Sequence, residues 1–180
     1  MIVDTHLHLL YPNRLSYPWT RGHPVLDRGF TLDTYLGEAI AAGVASMLHM
    51  EVDVAEDDIE RETAFVTSLD RGVIGAISAC RPEYENFAEQ YERLAANPKV
   101  RGFRRILHTE PDELATTKLF RENVKRLSGR HSFDFCVLPR QMPTAIAIAR
   151  SCPDVQFVLD HCGNPNIKGK ALHPWRESVS

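Results

Sequence analysis

The sequence contains no apolar run near the roughly 20 residues that span a bilayer, so no membrane segment is predicted. It carries no excess of one charge: 21 lysines and arginines against 24 aspartates and glutamates give a net charge of -3. With a pI near 6.2, nothing in the electrostatics points to nucleic acid or an anionic membrane as partner. Its 4 cysteines, Cys80, Cys136, Cys152 and Cys162, form no Cys-x-x-Cys pair. That spacing excludes a zinc knuckle and, with no secretory signal, a disulfide framework, leaving free thiols as the expectation. Asp4 interrupts the N-terminal apolar stretch at once, so no leader peptide is predicted and the expected location is the cytoplasm. A chain of 180 residues suffices for one sizeable core.

What is present is alternation. Short apolar segments at 2–6, 44–51, 73–79, 100–107, 132–138 and 154–160 read as strands. Longer amphipathic segments between them read as helices: 31–43 capped by Thr31 and stopped by Gly43, then 57–72, 83–98, 117–129 and 143–152. A loop fills the interval from the first strand to about Phe30, and a further helix begins near Trp175. Strand–helix alternation predicts a parallel α/β sheet. The first strand is followed by His-Leu-His and no Gly-x-Gly-x-x-Gly, which disfavours an open nucleotide-binding sheet. Polar residues recur where strands end, as they do at the mouth of a (β/α)8 TIM barrel. Such a barrel takes about 250 residues, so the prediction is a single barrel domain over 1–180 with about six of its eight βα units and strands seven and eight missing. The alternative is a shortened chain that closes its exposed edges as a homo-oligomer.

Within "MIVDTHLHLL", Ile2 and Val3 read as the start of a buried strand, and Asp4, His6 and His8 share one face of it. Two imidazoles at that spacing suit adjacent ligands of a divalent ion, with Asp4 orienting a ring. Glu51 ends the second strand and can ligate metal, hold water or bind a hydroxyl; the alternative is a solvated strand end. His49, two residues earlier, reads as a packed ring with its hydrogen bonds satisfied. In "VRGFRRIL", Arg104 shares a face with Gly102 and is taken to point inward as a donor fork for a carboxylate or an oxyanion. Arg101 and Arg105 then face helices or solvent. "FVLDHCGNP" places Asp160 as a loop anchor and His161 as a ligand, proton shuttle or carbonyl polariser.

In that order "DTHLHL", "YPW", "VRGFRRIL" and "FVLDHCGNP" resemble the amidohydrolase-related family of TIM-barrel hydrolases, and within it the sugar-lactone hydrolases. The resemblance implies hydrolysis of a cyclic ester by water attacking its carbonyl. It implies metal ligands at His6 and His8, joined by Glu51 or His161, catalytic roles for Arg104 and His161, and substrate contacts from Glu51, Tyr17 and Trp19. Tyr17 and Trp19 have loop packing as the equal alternative. Zinc is the expected ion, although some related lactonases work without metal. The fifth strand carries no histidine at its C-terminal end, where zinc-dependent relatives place a ligand; His131 stands at the other end. The family's general base is an aspartate at the end of strand eight, beyond residue 180, so the chain by itself is expected to be a poor catalyst. The competing readings are a zinc-dependent amidase or decarboxylase, and an inactive barrel portion that self-associates.

Overall fold

The computed structural model describes residues 2–170 and 172–180. The elements run β1 (Ile2–Leu7), α1 (Leu32–Ala39), β2 (Val44–Met50), α2 (Ile59–Ser68), β3 (Val73–Ala79), α3 (Phe87–Ala95), β4 (Val100–Ile106), α4 (Lys118–Lys125), β5 (Ser132–Cys136), α5 (Met142–Ser151), β6 (Gln156–Leu159) and α6 (Trp175–Ser178). All the strands forecast from the sequence form; the first four helices are shorter than forecast, and the fifth has the forecast length. Two compact units result, one comprising 1–79 with 93–101 and the other 80–92 with 102–180. Among the described residues no helix is long and apolar enough to cross a membrane.

In the first unit β1, β2 and β3 pair in parallel. Leu7, Leu9, Leu32, Leu36, Met47 and Val73 form a core between these strands and α1. Thr31 caps α1 as forecast, its side chain accepting the Thr34 N–H. The α-helix ends at Ala39, and Gly43, at φ +81°, makes the left-handed turn into β2. Ile2 and Val3 are 52% and 44% exposed, which corrects the forecast of a buried strand start. The cause is position: their pairing with β2 begins only at Val44 and Ser46, at the sheet's outer end. The long loop after β1 is pinned, not open. Leu10 and Phe30 exchange both backbone hydrogen bonds, at 2.8 and 2.9 Å. The Asp58 carboxylate holds the loop from α2 by accepting the Ser16 N–H at 2.8 Å.

In the second unit β4, β5 and β6 pair in parallel and in register, Arg104 opposite Asp134 and Asp134 opposite Val158. Aromatic rings fill its core: Phe87 stacks on Tyr91, Tyr91 leans on Phe103, and Phe120 meets Phe133 edge to face at 6.2 Å. Such pairs add about 0.5–1.5 kcal/mol each beyond their burial. The four cysteines are free, Cys162 alone among them exposed.

Gly75 in β3 is required by its neighbours. A Cβ there would stand 2.7 Å from the Lys99 carbonyl oxygen and 2.8 Å from Arg101 Cγ. Gly75→Ala is therefore expected to destabilise the protein by about 2 kcal/mol through backbone displacement; urea unfolding reads this, and an unchanged midpoint would refute it.

Candidate active site

The first unit carries His6, His8, Glu51, Tyr17 and Trp19. His6 near the end of β1 and His8 just past it stand side by side, ring centroids 4.9 Å apart and nearly perpendicular. His8 Nδ1 lies 3.0 Å from the Met50 carbonyl oxygen. A carbonyl only accepts, so Nδ1 carries a hydrogen, and the neutral form of the ring is the Nδ1–H tautomer. That is the tautomer a metal ligand needs, fixed by backbone in the manner common at metal sites. Asp4 acts differently from the forecast: its carboxylate accepts the backbone N–H of His6 at 3.0 Å and the Tyr35 hydroxyl at 2.6 Å. It therefore fixes the strand that carries the pair, not an imidazole. Burial, and then the hydrogen bond to Asp4, push the Tyr35 hydroxyl up to about 12.

Glu51 is not a solvated strand end. It is 2% exposed, and its Oε2 accepts the Asp53 N–H at 2.8 Å. Asp53 itself sits at φ +48°, a left-handed conformation that bends the chain back over the carboxylate. Sequence reasoning missed the acid beside it. Glu62 of α2 is buried, accepts the Val52 N–H at 3.2 Å and lies 3.5 Å from His49 Nε2. The signal was available: Glu62 falls on the buried stripe Ile59, Thr63, Val66, Thr67, where an apolar residue would be ordinary. His49 is buried as forecast, but among the described residues its ring nitrogens make no hydrogen bond, and burial pushes its pKa down to about 3. Trp19 is part exposed and donates its Nε1–H to the Val52 carbonyl at 2.8 Å. Tyr17 is buried and its hydroxyl accepts the Tyr11 N–H at 3.0 Å, while burial pushes its pKa up to about 12.

The second unit carries Arg104 and His161. Arg104 is buried, its Nε 2.9 Å from Asp160 Oδ2, and Asp160 is equally buried. Asp160 thus anchors through the arginine. Arg101 faces out, but Arg105, forecast to face helices or solvent, is buried against Glu83 at 2.6 Å and Glu110 at 3.1 Å. Burial alone would lower its pKa; the Glu83 and Glu110 carboxylates outweigh that and raise it. His161 is exposed and sits at φ +50°, followed by Cys162 at +53° and Asn164 at +50°. The turn is held by Asn164, whose Nδ2 donates to the Val137 carbonyl at 2.9 Å, and by Trp175 Nε1 donating to the Cys162 carbonyl. The C-terminal end of β5 presents Cys136, its sulfur 3.1 Å from His108 Nδ1. His131, at the start of β5, instead contacts the Tyr91 hydroxyl at 3.1 Å.

Asp134 is the second residue that sequence reasoning missed. It is buried in mid-strand, with the Ser132 hydroxyl donating to it at 2.9 Å. Burial pushes its pKa up to about 7; the Ser132 hydrogen bond and Arg104 oppose this, and Asp160 adds to it.

Parallel strands joined through helices, with ionisable side chains at strand ends, define the class as α/β of the (β/α)8 barrel type, six of whose repeats are present here. The chain belongs to the amidohydrolase family, whose model (Amidohydro_2) matches residues 3–180. Its structure is similar to that of an amidohydrolase from Burkholderia multivorans solved with bound zinc, at a TM-score of 0.80 and 25% identity. That likeness covers 98% of this chain and 64% of the other, so the chain spans a little under two thirds of that relative's length. A probable 2-pyrone-4,6-dicarboxylic acid hydrolase from Acinetobacter baumannii, solved with citric acid, shares the fold at a TM-score of 0.68 and 14% identity, covering 99% of this chain and 66% of its own. An L-fucono-1,5-lactonase from Burkholderia ambifaria is 32% identical over 89 residues, covering 48% of this chain and 31% of the lactonase.

The Asp134 pKa has a consequence for stability. Folded Asp134 keeps its proton up to about pH 7, whereas unfolded it ionises near 3.8. Between those values the unfolded state releases a proton the folded state retains, so stability falls as pH rises through this window and levels off above it, by at most about 4 kcal/mol. Asp134→Asn is expected to remove that part of the slope. Unfolding free energies at about pH 5 and about pH 8 measure it, and parallel slopes for the two proteins would show the assignment to be wrong.

Proposed function

We propose that this chain serves the hydrolysis of a small cyclic ester, a lactone, by attack of water on its carbonyl. The observation that carries the reading is the His6–His8 pair with the His8 tautomer fixed by Met50. The 32% identity to an L-fucono-1,5-lactonase across 48% of the chain supports the substrate class.

The donors present fit a divalent ion in part. Two adjacent imidazoles, one hydrogen-bonded through Nδ1 to a backbone carbonyl, supply two nitrogens, and zinc is the ion such nitrogens suit. Glu51, in the same unit, would add a carboxylate oxygen to the set. When bound, such an ion polarises a carbonyl and lowers the pKa of water. Without it, the same imidazoles form a hydrogen-bonding cradle. The zinc-dependent amidase or decarboxylase alternative requires a further histidine at the end of β5, where this chain has Cys136.

The remaining steps fall to the chain's own groups. Arg104 is a donor fork suited to charge developing on the carbonyl oxygen, and its guanidinium is held in place by Asp160. His161, exposed on its turn, is the side chain suited to return a proton to the leaving oxygen. Glu51 and Trp19 are assigned to the substrate's hydroxyls and ring face, with Tyr17 bracing the loop that carries Trp19.

The test is hydrolysis of a panel of aldonolactones by the chain and by the full-length open reading frame, with and without chelator. His8→Asn and His161→Asn are each expected to lower kcat/KM by about two orders of magnitude or more. Loss of activity on chelation, restored by zinc, would establish the ion; activity that survives chelation would assign the imidazoles to the cradle. Turnover of no lactone by the full-length protein would reject the proposal, and a stable dimer of the inactive chain would then favour the self-associating alternative.

A further inference from the structure

Glu62 stands where an apolar residue would serve packing better. It lies on the buried stripe of α2, 1% exposed, and a carboxylate taken out of water is destabilising unless it is well bonded. Its Oε1 accepts the Val52 N–H at 3.2 Å and lies 3.5 Å from His49 Nε2. The other backbone group of Val52 gives the acid a purpose: the Val52 carbonyl accepts the Nε1–H of Trp19 at 2.8 Å. The same peptide unit ends in the Asp53 N–H, which donates to Glu51 Oε2 at 2.8 Å. Asp53 is left-handed at φ +48°, a conformation that persists in a non-glycine residue only where its surroundings hold it. Trp19 is 40% exposed, so packing fixes its ring less than it would a buried one, and the bond to Val52 carries more of the task. A turn before Glu62, Asp58 accepts the Ser16 N–H at 2.8 Å. α2 thus meets the loop of Trp19 directly through Asp58, and indirectly through Glu62 and Val52.

We propose that Glu62 is a positioning residue for Trp19: by fixing the Val52 backbone it sets where the indole stands, and so how tightly the substrate's ring is held. The substrate contact of Trp19 rests on the functional reading above; the link from Glu62 through Val52 to Trp19 does not. The link needs a hydrogen-bond acceptor of the right length at position 62, and it needs no charge there. An amide oxygen accepts an N–H as a carboxylate oxygen does. A side chain one methylene shorter leaves the Val52 N–H out of reach. Glu62 touches no substrate in this role, so it acts on ground-state and transition-state binding alike, which alters KM and leaves kcat.

The experiment uses the full-length protein and three variants. Glu62→Gln keeps the reach and loses the charge, Glu62→Asp keeps the charge and loses the reach, and Glu62→Met loses both. With L-fucono-1,5-lactone, Glu62→Asp and Glu62→Met are expected to raise KM about tenfold with kcat within about twofold. Glu62→Gln is expected to stay within about threefold of the parent in both constants. In a Trp19→Phe background, which lacks the indole N–H, Glu62→Asp is expected to change KM by less than about twofold, because the link is already cut. An equal rise in KM with and without Trp19, or a loss in Glu62→Gln matching that in Glu62→Asp, overturns the proposal. Should Glu62→Met fail to fold, Glu62→Asp carries the comparison. Should no lactone be hydrolysed, the functional reading fails and the link is read by NMR instead. The Trp19 Nε1–H resonance should then move upfield in Glu62→Asp and keep its place in Glu62→Gln. The Nε1–H of Trp175, bonded to the Cys162 carbonyl, should stay in place in both. A Trp19 resonance that is fixed in Glu62→Asp, or that moves together with that of Trp175, refutes it.

Discussion

A guanidinium taken out of water must meet a counter-charge, because an unpaired buried ion is destabilising by several kcal/mol. β4 carries two consecutive arginines, so its alternation drives them to opposite faces, and both are buried. Each face is consequently obliged to supply carboxylate: Asp160 for Arg104, Glu83 and Glu110 for Arg105. Much else in the second unit follows from this requirement. The end of β6 must bring Asp160 to a fixed point, and the segments around Glu83 and Glu110 must return to β4. Such pairs contribute little net stability over apolar packing of equal volume, but removing one partner is strongly destabilising. They specify arrangement more than they add strength.

The turn after β6 shows what that specification demands. With Asp160 buried, the chain must reverse at once, and it does so through left-handed conformations at His161, Cys162, Gly163 and Asn164. Glycine accepts this freely, while the other residues are each strained by about 1–2 kcal/mol. A Cβ at Gly163 would come within 2.9 Å of Met142 Sδ, so packing and conformation both ask for glycine there. The hydrogen bonds from Asn164 to Val137 and from Trp175 to Cys162 offset the strain. One residue of a dipeptide is thereby buried on an arginine while the next, His161, is turned outward.

Periodicity made part of this legible. Alternation placed His6 beside His8, and Arg104 lies against Asp160. The strand–helix repeat identified the fold class because it depends on local pattern alone. What escaped was acid at positions where pattern predicts apolar residues. Glu62 lies on the buried stripe of α2, and Asp134 lies inside "SFDFCVL", between two buried phenylalanines. Each reads locally as tolerated noise; its meaning depends on a partner in a different element, Val52 and His49 for Glu62, Arg104 and Asp160 for Asp134. Asp4 was placed correctly and its role misjudged, because a carboxylate two residues from a histidine reaches the backbone N–H as readily as the ring.

His8 and His49 separate residue type from environment. Both belong to the first unit, one just past β1 and the other on β2, and their backbones are near: Leu7 is the register partner of His49. His49 is 1% exposed, and burial drives its pKa down to about 3. Its Nε2 lies 3.5 Å from Glu62 Oε1, in a setting that favours the neutral ring. His8 is only half-buried, and a backbone carbonyl 3.0 Å away has already chosen its tautomer. Depth in the sheet, not residue type, leaves one imidazole as packing and sets the other against a backbone carbonyl.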